Sequence, residues 1–296
     1  MVRGIFIFLV LWPIFLPYKG MAAEKAVTIH CLSPQSDLDR RQLFVHEIIT
    51  AVMDSTASSH GPYNIKPIPK MTWHRLDLVA SQHRYPNMVI RVTGNIRSIK
   101  AFEAVPIPIN RGIVGYRIFL IPDTLEDDFT GISDLKDLIA SGLTPGQGRW
   151  ADVGILKANG IDVVVGSNYE GLFAMLMAGR FDFFPRGVNE AFEELEARSQ
   201  TYPDMRVEKT MAFYYPLPRV LATTKGNTEM AERIEAGLRR IFANGTHKKI
   251  WLKYNKKWVE KADLSQRKII RLENPDALPS LPYDQKIYWY QPGERI

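Results

Sequence analysis

The sequence predicts an α/β protein built from doubly wound layers, and three observations carry the prediction. From residue 27 onward, short apolar runs alternate with amphipathic stripes in the order strand, helix, strand, helix, strand, which places helices on both faces of a largely parallel sheet. Two strand-like runs with no helix between them, at 102–108 and 112–121, then break the alternation, and a second α/β series follows from residue 135. With 296 residues and 46% hydrophobic content, the chain is long and apolar enough to bury a core or two. In open sheets of this kind, ligands lie beyond the carboxyl ends of the strands.

Residues 1–23 stand outside that fold. Arg3 supplies a positive start, residues 5–16 form an almost unbroken apolar run, and Met21-Ala22-Ala23 places small residues near a cut site. Together they read as a cleaved export signal. The run is shorter than the ~20 residues that cross a bilayer, and no later segment is long and apolar enough, so a soluble exported product is expected. Cys31, the single cysteine, lies on the run AVTIHCL, where a buried, inert thiol is expected. The formal charge of +6 loses two positive charges with Arg3 and Lys19. Lys248, Lys249, Lys253, Lys256, Lys257 and Lys261 cluster near the C-terminus but are interleaved with Ile250, Trp251, Tyr254 and Trp258. That spacing reads as the solvated face of an amphipathic helix rather than as a nucleic-acid surface.

Each element has its own signal. The run at 27–32 is the first strand. Leu43, Phe44, Ile48, Ile49, Val52 and Met53 then recur at helical spacing behind a cap at Asp37 or Asp39. Gly61-Pro62 turns the chain into a second strand over 64–70, Thr72 caps a short helix reaching residue 82, and 88–92 is a buried strand. In the second series, 135–139 is helical, a glycine-rich turn leads to a helix over 151–158, and 162–166 is a strand. From Ser167 the chain reads as a capped helix, a stop at Gly179, a short buried strand over 180–184, and a Glu-rich helix. Tyr214-Tyr215-Pro216-Leu217-Pro218 interrupts the series before a strand at 219–223. Met230, Ile234, Leu238, Ile241 and Phe242 define a strong amphipathic helix, capped by Asn227 or Thr228 and ended at Gly245. The tail from Asn274, rich in proline and aromatics, is expected to lie extended with its rings as anchors. No internal repeat or low-complexity segment is present.

The segments PIPINRGIVGYRIFLI, DLKDLI, GQGRWADVGILKANG, LFAMLMAGRFDFFPRG and ATTKGNTEMAERIEAGLRRIFANGTHKKIWLKY follow one another in an order that resembles the type 2 periplasmic solute-binding proteins. In motif style the chain is similar to the polar amino-acid binding components of ABC importers, solute-binding family 3, over nearly all of its length beyond residue 23. The resemblance implies a two-lobe clamshell, each lobe a mixed sheet flanked by helices. Residues 24–117 with 219–296 would form the first lobe and 118–218 the second, with hinge strands at 116–119 and 216–220. It also implies a periplasmic monomer without a cofactor, a small-molecule ligand, and an inner-membrane permease or sensor as partner. A dehydratase-like enzyme on the same fold is the alternative reading, because fold alone does not fix function.

The resemblance also assigns candidate ligand contacts. Arg97, after the third strand and a Thr93-Gly94-Asn95 turn, matches the position whose guanidinium grips a ligand carboxylate with its planar fork. The spacing from Thr93 is one residue longer than in the amino-acid binders. In Gly146-Gln147-Gly148-Arg149-Trp150, a glycine-rich turn runs into a helix, presenting N–H groups at the positive end of the helix dipole. Gly148, Arg149 and Trp150 are the candidates there. Trp73 follows the second strand, where an aromatic covers the ligand, and Tyr169 lies beside the cap of a second-lobe helix. Asp182 is expected to anchor its strand. The position that pairs a ligand ammonium in amino-acid binders reads Gly187 here, flanked by Arg186, with Glu190 as the substitute carboxylate. An unpaired buried ammonium is costly. With Arg97 and Arg186 facing inward, an organic anion or an atypically held amine is therefore expected rather than a standard α-amino acid. Enzyme signatures are thin: there is no Gly-x-Ser-x-Gly, no phosphate-binding loop and no His-Glu-x-x-His, and the six histidines are scattered.

Overall fold

The computed structural model describes residues 25–32, 40–69, 71 and 73–294. The expected export signal at 1–23 and the expected caps at Asp37, Asp39 and Thr72 lie outside the described residues. The chain opens as β1 (Val27–Leu32), α1 (Arg40–His60), β2 (Tyr63–Ile68), α2 (Trp73–Ser81), β3 (Ile90–Thr93), α3 (Ile96–Ala101) and β4 (Phe102–Ala104). β1 and β2 pair in parallel. A parallel bridge between His30 and Met88 brings the chain entering β3 alongside β1, with the Val89 N–H donating to His30 O at 2.8 Å. The alternating pattern thus yields the expected parallel layer.

A 3₁₀ turn (Ile113–Gly115) and β5 (Tyr116–Pro122) follow, so the strand expected over 112–121 starts only at Tyr116. The cause lies at Gly112, whose φ of 70° puts it in the left-handed region. A Cβ there would come within 2.5 Å of Trp289 Cε3, so only glycine fits both the turn and the ring. Beyond it come α4 (Leu135–Ser141), β6 (Gly146–Gln147), α5 (Ala151–Ala158), β7 (Val164–Val165), α6 (Tyr169–Met177), β8 (Phe184–Gly187), α7 (Val188–Arg198), β9 (Met205–Val207) and β10 (Met211–Tyr214). β11 (Arg219–Thr224), α8 (Thr228–Ala243), α9 (Thr246–Ala262) and β12 (Lys268–Arg271) complete the order.

β11 runs antiparallel between β3 and β4. In the other large sheet, β5 pairs antiparallel with β8, β9 and β10, and β12 joins β10 in parallel. Phe119 of β5 anchors that sheet, its ring centre 4.8 Å from Phe183 and 4.7 Å from Phe213. α8 is capped by Asn227, whose Oδ1 accepts from Met230 N at 3.2 Å. The basic cluster lies on α9, which buries Ile250, Trp251 and Trp258.

The strand expected at 180–184 is displaced to Phe184–Gly187. Gly179 turns at φ 63°, and Asp182 is then held by Thr144: its N–H donates to Thr144 O at 2.8 Å and its carboxylate accepts from Thr144 N at 2.7 Å. Only from Phe184 does the backbone reach β5, which sets Arg186 opposite Ile118 and Gly187 opposite Arg117.

The C-terminal segment stitches the two large sheets together. Leu272 N donates to Tyr214 O at 2.8 Å. The Asn159 amide, at the end of α5, exchanges two hydrogen bonds with the Glu273 backbone, at 2.8 and 2.9 Å. Asn274 Nδ2 donates to Pro216 O at 2.7 Å, and Ile96 N, opening α3, donates to Asp276 O at 3.1 Å. Tyr288, Trp289 and Tyr290 are then buried, and Arg111 binds Glu294 and Trp289 O.

Candidate functional site

A cleft of about 470 Å³ opens between the turn leading into α3 and the starts of α5, α6 and α7. Its first wall is built on β3. Asn95 caps α3 by accepting from Ser98 N at 3.0 Å, which fixes the turn that carries Arg97. Beside it Thr93 accepts a hydrogen bond from the Arg219 guanidinium on the neighbouring β11.

The facing wall starts at the glycine turn. Trp150 N donates to Gly148 O at 2.7 Å, and a Cβ on Gly148 would come within 2.7 Å of the Trp150 ring. Gly148 therefore leaves room for that ring, while Arg149, Trp150 and Ala151 line the cleft. α5 begins here, and the first N–H groups of a helix have no partner within it. Trp150 and Tyr169 are 39% and 38% exposed. The Trp150 ring stacks on buried Phe184 at 6.3 Å and has the Arg186 guanidinium 4.9 Å from its centre.

Behind these rings lies a buried ionic cluster. Arg117 pairs with Asp152 at 2.6 Å and with Glu190 at 3.3 Å. Arg186 pairs with Glu190 at 3.2 Å and Glu194 at 2.6 Å. Tyr215 donates its hydroxyl proton to Asp152 at 2.6 Å and accepts from Arg117 Nε at 3.0 Å, and Tyr169 donates to Glu194 at 2.6 Å. Burial alone would lower both arginines, but the carboxylates beside them outweigh it and hold each guanidinium above its ordinary pKa. Desolvation, and next the Glu194 charge, push the Tyr169 hydroxyl up as well.

Of the residues singled out in the sequence, Arg97, Arg149, Trp150, Tyr169, Arg186 and Glu190 line this one cleft. Gly148 supports it from behind. Trp73 opens α2, and its side chain lies outside the described residues. The expectation that Arg186 adds free positive charge is corrected, because Glu190 and Glu194 neutralise it. Gly187 acquires a reason: a Cβ there would come within 3.2 Å of Glu190 Oε2 and 3.3 Å of Arg117 Nη1. The Glu190 carboxylate occupies the space that a side chain at 187 would enter, held by the Gly187 N–H at 3.2 Å. Sequence reasoning missed Arg117, Asp152, Tyr215 and Arg219. The available signal was Arg117 itself, a lone charge inside the apolar run GYRIFLI, since a buried charge requires a partner.

Among solved structures, the chain is similar to an ancestral arginine-binding protein bound to arginine, with a TM-score of 0.51, 17% identity, and coverage of 79% of this chain and 100% of that one. The two-lobe architecture is common to both. The chain has the type 2 periplasmic-binding-protein fold. The arginine-, lysine-, histidine-binding protein of Geobacillus stearothermophilus matches at a TM-score of 0.50 and 14% identity, over 78% of this chain and 96% of that one. A histidine kinase sensor domain with similarity to periplasmic binding proteins matches at 0.51 and 16%, over 79% and 97%. A scan against protein-family models finds no match, and neither does a search of curated proteins. In the type 2 fold of this chain, β3 and α3 supply one wall of the cleft, and α5, α6 and β8 supply the other. Among the described residues, no helix is long and apolar enough to cross a membrane. Nor does any group of three or more His, Cys, Asp or Glu offer a metal site among them.

Proposed function

We propose that this protein is a periplasmic solute-binding protein that closes two lobes on a small polar organic solute and delivers it to an ABC-type importer. One observation carries the reading: Arg97 and Arg149, from opposite walls, line a single cleft and neither forms an ion pair among the described residues. A carboxylate bound there meets a guanidinium fork on one side and the start of α5 on the other. Residues 24–117 with 219–296 are the first lobe and 118–218 the second, β12 reaching across to the second lobe's sheet, with hinges at 116–119 and 216–220. Closure is favoured by ligand because only the closed state engages both walls at once. The protein acts as a monomer, without a cofactor, after removal of residues 1–23.

A second reading, a ligand-sensing partner of a membrane receptor, is supported by the similarity to a kinase sensor domain. Both readings require reversible binding without turnover. The test is a thermal-shift screen of the protein lacking residues 1–23 against amino acids, organic acids, amines and short peptides. A cognate solute stabilises the folded state by about 3–4 kcal/mol at a few hundred times its Kd. Chemical conversion of a bound compound, followed by mass spectrometry, would favour the enzyme instead.

A further inference from the structure

The charges around the cleft do not balance, and the imbalance identifies a ligand class. Arginines at 97, 117, 149, 186 and 219 line it, against Asp152 and Glu190. Glu194, bonded to Arg186 behind the wall, adds a third carboxylate, so five guanidinium groups face three carboxylates. The groups are distributed unevenly. Arg117 and Arg186 are closed into the buried cluster with all three acids. That cluster, two guanidinium groups with three carboxylates, is left with one negative charge; outside it Arg219 is bonded to Thr93, and Arg97 and Arg149 carry positive charge into the cleft. Arg97 and Arg149 are exposed and stand on opposite walls.

A ligand ammonium would meet these guanidinium groups as like charges. The carboxylates nearest to it already serve other donors. Asp152 is 4% exposed, and its Oδ1 accepts from Arg117 and Tyr215. Glu190 Oε2 is shared by Arg117, Arg186 and the Gly187 N–H. A monocarboxylate would satisfy only one of the two exposed arginines. The half-exposed Trp150 and Tyr169 rings, their centres 6.4 Å apart and tilted at 53°, line the same cleft.

We infer that the cleft takes a dianionic organic solute, a dicarboxylate with one end on Arg97 and the other on Arg149 and the start of α5, its body lying on Trp150 and Tyr169. This rests on the solute-binding reading of the same cleft. The experiment is calorimetric titration of the protein lacking residues 1–23 with succinate, glutarate and terephthalate, each beside its monoamide, and with glutamate and arginine. At least one diacid should bind about tenfold or more tightly than its monoamide. Arg149→Gln, a change at an exposed residue whose fold is checked by circular dichroism, should cut that ratio to below about threefold. Arg149→Lys should restore part of it. Monoamides binding as well as the diacids, or arginine binding tightest, would overturn the dianion while leaving solute binding in place. If no probe binds, the dianion reading fails, and the solute-binding reading fails only when the wider thermal-shift screen is also empty.

Discussion

Replacing Arg117 by methionine isolates the buried cluster. The substitution keeps an unbranched apolar stem, so the packing loss is small, but it removes the cation 2.6 Å from Asp152 and 3.3 Å from Glu190. Arg117 and Asp152 are only 3% and 4% exposed, so water cannot take the place of the guanidinium. Stranding a buried charge in this way costs about 3–5 kcal/mol, a large part of the 5–15 kcal/mol by which a typical domain is stable. Urea unfolding followed by circular dichroism measures the loss. The double variant Arg117→Met/Asp152→Asn should recover about half the loss or more, because the stranded charge is gone. A loss under about 1 kcal/mol would show that the cluster is solvated and refute its burial as the source of the cost.

Three further predictions follow from other parts of the molecule. Burial pulls the His247 pKa down to about 4, so the folded protein keeps the ring neutral where the unfolded chain takes up a proton. Stability should fall by about 3 kcal/mol as pH drops from 6.5 to 4, and His247→Gln, which keeps a donor for Ile109 O, should flatten that slope in urea midpoints. Asn159→Ala removes both hydrogen bonds to Glu273 and should lower stability by about 1–3 kcal/mol, read from chemical denaturation. Mass spectrometry of exported protein should find a mature N-terminus near Glu24, and full-length protein retained in the membrane fraction would refute export.

What the sequence disclosed depended on whether the signal was local. The helix at 151–158 was legible to the residue because its glycine turn and apolar spacing lie within a dozen positions, and the long helix behind Asn227 for the same reason. The strand at 184–187 was misplaced because Phe181, Phe183 and Phe184 are all buried. An apolar run without alternation cannot set its own register. The register comes from Asp182 meeting Thr144, a contact between segments that only the fold brings together. β12 was missed: KIIR is short and half exposed, and its partner β10 lies far back in the chain. At the site, Arg97, Arg149, Trp150 and Tyr169 were found through the resemblance, from their places after a strand, in a glycine-rich turn or beside a helix cap. Whether Arg186 carried free charge was illegible, because its partners Glu190 and Glu194 are recognisable as such only once α7 is wound.

The stitching by the C-terminal segment has a kinetic consequence. Arg111 and Glu294 are separated by 183 positions, and Ile96 waits comparably long for Asp276. At about 5–20 residues per second, roughly 10–40 s of synthesis separates the two ends of such a contact. Until then Gly112 has no ring above it, and the edge beside Arg97 lacks its backbone partner. Contacts that close loops of this length also slow folding, since chain entropy is lost before the contact forms. The wall bearing Arg97 is thus among the first parts of the chain to be made and among the last to be fastened.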